Sequence, residues 1–356
     1  EVRSALGGPT AAGLVDGAAG SKIILQANGN VVEGRLQDSL STVAFRLTID
    51  ANGQATLDQM RAIKHGDATN PDDIATLSST LIRLVATVTD GDGDQASAIA
   101  FVGNTLAFRD DGPSIDATNV DTNSILLTTQ DADTRGAAFD TATADLSSAF
   151  SAASVHFGAD GPAGAGQVTW SYALALGTAA ATTALTSNGV PVTLALVSGQ
   201  IVGSAGGTPV FSVSVNAATG IVTLTQFAEI DHPLPGSPAD YAAQLVELGA
   251  NLIELRGTAT ITDRDGDSVS DTVAVDLGGN IRFADDGPTV SAGGSAPVLE
   301  LDESNLAVDT TANLSGLFAP TTDFGADGPG TTAYELGVTE GPSGLIDSLS
   351  GEPVIL

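Results

Sequence analysis

Three aspartates alternate along a glycine-containing loop twice in this chain, as Asp90-x-Asp92-x-Asp94 and Asp263-x-Asp265-x-Asp267. Carboxylates at that spacing can wrap a hard divalent cation, and calcium takes about six to eight oxygen ligands. Both loops open like an EF-hand and then depart from it. The sixth position is Gln95 or Ser268 rather than Gly, and the twelfth is Phe101 or Ala274 rather than Glu. The expectation is a DxDGD loop on a β scaffold. A companion acidic pair follows each loop, as Asp110-Asp111-Gly112-Pro113 and Asp285-Asp286-Gly287-Pro288.

Asp and Gly also suit turns for purely local reasons. The recurrence of both motifs at nearly constant mutual separation favours ligation over turn chemistry. The candidate metal ligands are therefore Asp90, Asp92, Asp94, Asp110, Asp111, Asp263, Asp265, Asp267, Asp285 and Asp286, and the candidate cofactor is Ca2+. Asp160 and Asp327, in two FGADGP segments, fit a turn as well as a ligand. Asp302 and Glu303 are weaker, because the second copy of the repeat has Thr128 and Thr129 nearby.

The elements that must position these acids follow from internal repetition. FRDDGP at 108–113 returns as FADDGP at 283–288, an offset of 175, and VTDGDGD at 88–94 returns as ITDRDGD at 261–267, an offset of 173. GQATLDQMRAIKH at 53–65 matches GIVTLTQFAEIDH at 220–232, and HFGADGP at 156–162 matches DFGADGP at 323–329. The repeat is about 170 residues long and the chain is out of register with it. Residues 1–112 read as the later part of a first copy, 113–287 as a complete second copy and 288–356 as the beginning of a third. A chain that starts and stops within a repeat is expected to be a piece of a longer one.

Segments 43–49, 168–176, 210–215 and 221–225 carry the β-branched, alternating pattern of strands. Segments 81–89 and 252–262 read as buried strands feeding the acidic loops. Residues 238–248 (PADYAAQLVEL), with 71–77 as a shorter counterpart, read as helical. Between the two acidic motifs, a strand at 96–102, a turn at Gly103-Asn104 and a return strand at 105–109 read as a hairpin. That hairpin would bring five aspartates to one pole of the same copy, where their mutual repulsion calls for a cation. The fold class is mostly β: tandem Ig-like β-sandwich repeats with calcium-binding loops at the repeat junctions.

Composition narrows the partners. Twelve Lys and Arg against 43 Asp and Glu give a formal net charge of −31. Such a chain repels nucleic acid and anionic membrane surfaces. With no cysteine, it has no disulfide, thiolate zinc site or thiol nucleophile. No apolar run approaches the roughly 18 residues of a membrane span, and residues 1–3 carry no signal-peptide pattern.

The combination of T-D-x-D-G-D, a short connection and F-x-D-D-G-P at each boundary resembles the large repeat domains of giant bacterial adhesins of the repeats-in-toxin group. The FGADGP segments and LDES at 301–304 fit the same resemblance. It implies type I secretion, an extracellular location at the bacterial cell surface, and repeats serving as calcium-stiffened spacers that project adhesion modules in cell adhesion and biofilm formation. The glycine-rich nonapeptide of the calcium β-roll is absent, since Gly278-Gly279-Asn280-Ile281 breaks it at the fourth position.

No G-x-S-x-G, P-loop or H-E-x-x-H occurs, and no enzyme is expected. His65, His156 and His232 read as satisfied structural histidines, and Trp170 as a core residue. Two other functions compete with a spacer: a calcium-dependent ligand- or carbohydrate-binding module, and a subunit of a self-assembling filament or surface layer. The expected partners are neighbouring repeats of the same chain, and a host or abiotic surface or other adhesin chains.

Overall fold

The computed structural model describes residues 2–4, 10–120, 122, 124–178, 182–232 and 243–355. It is a mostly-β protein with several sheets. In the second copy, a six-stranded antiparallel sheet runs in the order Asp140–Asp145, Ile221–Gln226, Thr208–Val215, Gln200–Ala205, Val190–Val197 and Thr182–Ser187. Its inner residues alternate with outer ones along each strand, so Ile201, Phe211, Val213, Val222 and Leu224 point into one core. A three-stranded sheet of Thr169–Leu176, Ile253–Thr262 and Ser268–Asp276 closes the sandwich. The aromatic cluster of Phe150, Trp170 and Tyr172 lies in this core, with Trp170 half-buried against its margin.

The first copy repeats the order. A five-stranded sheet of Thr10–Val15, Lys22–Asn28, Val31–Leu36, Ser39–Ile49 and Ala55–Gln59 faces a sheet of Val2–Ser4, Ile82–Thr89 and Gln95–Phe101. Its core gathers around Ile23, Leu25, Phe45, Ile82 and Phe108. The expected strands therefore form, with ends shifted by a few residues.

Two expectations differ. Residues 71–77 are a turn followed by the strand Ile74–Thr76, not a helix. Of 238–248, residues 238–242 lie outside the described residues, and Leu245–Glu247 is a strand. Each of these short strands pairs antiparallel with the strand leading into a DDGP motif, Ala107–Arg109 or Ile281–Ala284. Pairing to that strand's open edge outweighs local helical propensity.

The hairpin between the acidic motifs is also replaced. Ile82–Thr89 pairs with Gln95–Phe101, and Ala107–Arg109 does not pair back onto it. The 3-10 turns Gly103–Thr105 and Gly278–Asn280 instead carry the chain across to another sheet. A Cβ at Gly103 would stand 2.1 Å from the Ser78 carbonyl oxygen, and one at Gly278 would stand 1.8 Å from that of Gly249. Only glycine lets the crossing pass that close to the backbone.

In the second copy the antiparallel pair of Ser114–Asn119 and Phe150–His156 packs on the Ile253–Thr262 and Ser268–Asp276 strands. Ala117 N–H donates to Asp271 at 2.8 Å, and Phe150 covers Gly257. Among the described residues of 1–112, no strand pair covers the equivalent sheet. Val88 is accordingly 69 % exposed, where its equivalent Ile261 is 1 % exposed. The strand at 81–89, expected to be buried, is therefore half-open. In the third copy Thr289 bridges Asp323 as Ser114 pairs with His156, and Arg135 grips Asp323 with two hydrogen bonds of 2.8 and 2.7 Å. Among the described residues beyond 324, one strand pair forms, Pro342–Ile346 with Pro353–Ile355.

Candidate metal centre

Both DGD loops fold into the same turn. The backbone N–H of Asp90 donates to Asp94 O at 3.0 Å, and Asp263 N–H to Asp267 O at 3.0 Å. The first carboxylate then caps the loop. Asp90 Oδ1 accepts from Gly93 and Asp94 N–H at 3.0 and 2.8 Å, and Asp263 Oδ1 from Gly266 and Asp267 N–H at 3.1 and 2.8 Å. Gly93 and Gly266 have φ of 102° and 113°, the left-handed region that a side chain disfavours.

Their surroundings differ. Asp90, Asp92 and Asp94 are exposed at the open end of the first copy. A hydrogen bond with the Asp92 side chain, then the N–H of Asp94, holds the Asp90 carboxyl below its ordinary range. Asp263 and Asp267 are 1 % and 3 % exposed. Burial, and then the neighbouring Asp265, push Asp263 up to about 7; the same two causes raise Asp267.

Asp263 lies against Asp160 and the turn at Pro162 of its own copy, and Asp267 against Asp110 of the preceding one. Ligand-capable atoms of Asp110, Asp265 and Asp267 lie within 4.8 Å of one another, as do those of Asp160, Asp263 and Asp265. Asp265 belongs to both sets. Asp265 Oδ2 accepts from His65 N–H at 3.1 Å, and Asp160 Oδ2 accepts from the N–H groups of Arg264 and Asp265 at 3.1 and 3.2 Å. Arg264 reaches the Ala18 carbonyl of the first copy. A cavity of about 20 Å³ lies between His65, Asp110, Asp111 and Asp160.

Four carboxylate oxygens here are buried with no hydrogen-bond partner: Asp110 Oδ2, Asp263 Oδ2, Asp265 Oδ1 and Asp267 Oδ2. Leaving a buried anionic oxygen unpaired is costly. Among the described residues no Lys or Arg pairs with these carboxylates, whereas the fully buried Asp16 is held by Arg61 at 2.6 and 3.0 Å. Hard oxygen donors with this geometry fit a cation of calcium type.

The pairing of motifs therefore differs from the sequence expectation. Asp110 meets the DGD loop of the following copy, not Asp90, Asp92 and Asp94 of its own. The chain crosses to another sheet after Gly103, which separates the two motifs within a copy and delivers the DDGP strand to the boundary. Asp111 is exposed and Asp286 half-buried, the latter accepting from Ala326 N–H.

The end of the second copy repeats part of this arrangement. Asp285, Asp286 and Asp327 stand where Asp110, Asp111 and Asp160 stand. Burial, then Asp285 and Asp286, raise Asp327 to about 6. Sequence reasoning missed Asp131. The parallel pairing of Leu127–Gln130 with Ile281–Ala284 carries it beside Asp285 and His232. It is 0 % exposed, and burial pushes it up to about 8. Its motif has no counterpart in residues 1–112, so repetition could not mark it. The histidine reading also divides: His65 Nδ1 bonds Asp73, whereas His232 Nδ1 is buried without a hydrogen-bond partner.

Among the described residues, no helix is long and apolar enough to cross a membrane. No curated protein matches the chain. A crystal structure of the protocadherin gammaB4 extracellular domain aligns with 15% sequence identity over 81% of this chain at a TM-score of 0.22, and this chain spans 36% of that one. A known family, described as a domain of unknown function (DUF5801), matches residues 4–103, 114–278 and 298–356. The chain belongs to the DUF5801 family.

Proposed function

We propose that this chain is a repeat region of an extracellular bacterial surface adhesin, exported by type I secretion, in which calcium bound between copies stiffens a spacer. The repeat boundaries are 112/113 and 287/288. The observation that carries the reading is the set of four unpartnered carboxylate oxygens shared across the first boundary. A cation there ties the DDGP strand of one copy to the DGD loop and FGADGP turn of the next. Affinity is of extracellular-module strength, on the order of 10⁻⁴–10⁻³ M, so the array stays supple in a low-calcium cytoplasm and stiffens outside. The role is architectural, with no catalysis assigned to any copy.

Small-angle X-ray scattering in millimolar calcium and then in chelator tests this. The reading requires a longer, stiffer particle with calcium. An identical profile in both conditions removes the spacer mechanism.

Assembly with other chains is a second reading. Among the described residues, Ser268–Asp276 is an edge strand of its three-stranded sheet, and a strand of a neighbouring chain can pair along it. Concentration-dependent oligomers in light scattering support this reading, and a strict monomer removes it.

A further inference from the structure

At the end of the second copy, three buried atoms converge. His232 Nδ1 lies 3.5 Å from Asp131 Oδ2 and 3.6 Å from Asp285 Oδ1. All three atoms lack a hydrogen-bond partner, and both separations exceed ordinary hydrogen bonds. The three side chains are each more than nine-tenths buried.

Every other polar atom of the trio is already engaged. His232 Nε2 lies 3.2 Å from the Phe283 carbonyl oxygen, to which it must donate, so the lone pair of the neutral ring sits on Nδ1. Asp131 Oδ1 accepts from the Gln226 side chain and from Ile230 N–H. Asp285 Oδ2 accepts from Gln244 Nε2 at 3.1 Å. Histidine and carboxylate ligands oriented by outer hydrogen bonds in this way are the usual support of a metal ion. Ligand atoms about 2.0–2.1 Å from a tetrahedral zinc lie about 3.4 Å apart, close to the separations observed.

We propose that His232 Nδ1, Asp131 Oδ2 and Asp285 Oδ1 form a site for a divalent transition ion of zinc type. The imidazole nitrogen selects such an ion over calcium, which prefers oxygen alone. Two carboxylates and a neutral ring balance the charge of a divalent ion and leave coordination positions open. The site takes Asp285 from the calcium candidates of the second boundary, while the calcium reading at the first boundary rests on other residues, all of them oxygen ligands. At the first boundary His65, Asp73 and Asp110 form a related cluster, but there Asp73 is hydrogen-bonded to the histidine Nδ1.

The test is a cobalt(II) titration of the full, metal-stripped chain in millimolar calcium, read by visible absorption and by competition with zinc. The proposal expects one equivalent of cobalt with a visible ligand-field band, displaced by zinc and unaffected by calcium. His232→Gln and Asp131→Asn should each weaken binding by at least about a hundredfold, with circular dichroism confirming the fold. His65→Gln and Asp263→Asn should leave the band intact. No band in the unaltered chain, a band that calcium removes, or a band that persists in a folded His232→Gln variant overturns the site. The Asp263→Asn variant, read for its calcium response, separates failure here from failure of the spacer mechanism.

Discussion

Asp110 and Asp265 belong to copies on opposite sides of the Gly112-Pro113 boundary, yet their carboxylate oxygens lie within 4.8 Å of each other and of Asp267. One oxygen of each is buried and unpartnered. Unpartnered carboxylates therefore face one another across the boundary, where a bound cation would relieve their repulsion.

That burial sets a pH dependence. Burial raises Asp263 to about 7, Asp327 to about 6 and Asp131 to about 8, from an ordinary value near 3.8. Between those limits the folded protein holds protons that the unfolded chain has released. Stability from these groups is therefore full below about pH 4 and is lost as pH rises toward 8. The acids with lowered values, such as Asp50 and Asp67, act below pH 4 and leave this window alone. Thermal melts of metal-free protein should show a lower midpoint at pH 8 than at pH 5.5, with calcium restoring the loss at pH 8. A metal-free midpoint that climbs over this range contradicts the assignment.

The crossing glycines make a second prediction. Gly278→Ala places a methyl 1.8 Å from the Gly249 carbonyl oxygen, and the crossing must shift. Urea unfolding should show a loss of about 1–3 kcal/mol. Gly279→Ala, with nothing within 4 Å of its Cβ, should change little. Equal effects would mean that the approach to Gly249 does not constrain the crossing.

The cover over the second copy's sheet makes a third. Asp271 accepts from Ala117 N–H at 2.8 Å and pins the strand Ser114–Asn119 onto the sheet. Asp271→Ala leaves that N–H without its partner and should cost about 1–3 kcal/mol. It should also raise hydrogen exchange at Ala117 before the sandwich core opens. Unchanged exchange at Ala117 would show that the carboxylate does not hold the cover.

Much of this was legible locally. Alternation in Val213, Ser214 and Val215 marks a strand, and Asp-x-Asp-Gly-Asp marks its own turn, because the cap from Asp263 to Gly266 and Asp267 spans only a few residues. The partner of the DDGP motif was not legible. The offset between motifs is the same whether Asp110 joins the loop before it or the loop after it, and only the crossing after Gly103 decides. Helical composition misled at 71–77, since Ile74–Thr76 is held by a strand distant in sequence. Asp131 carried no signal because the partial first copy lacks its counterpart, and Asp302 and Glu303 were set against Thr128 and Thr129 instead. His232 was the available clue: a histidine expected to be satisfied had no partner for Nδ1.

The most direct measurement is calcium binding by isothermal titration calorimetry to the unaltered chain, Asp92→Asn and Asp265→Asn. The two aspartates hold the same position in equivalent loops, one exposed and one at the boundary. Asp265→Asn should abolish the tightest binding event, and Asp92→Asn should leave it intact. Equal losses in the two variants, or a loss confined to Asp92→Asn, would contradict a cation site built between consecutive copies.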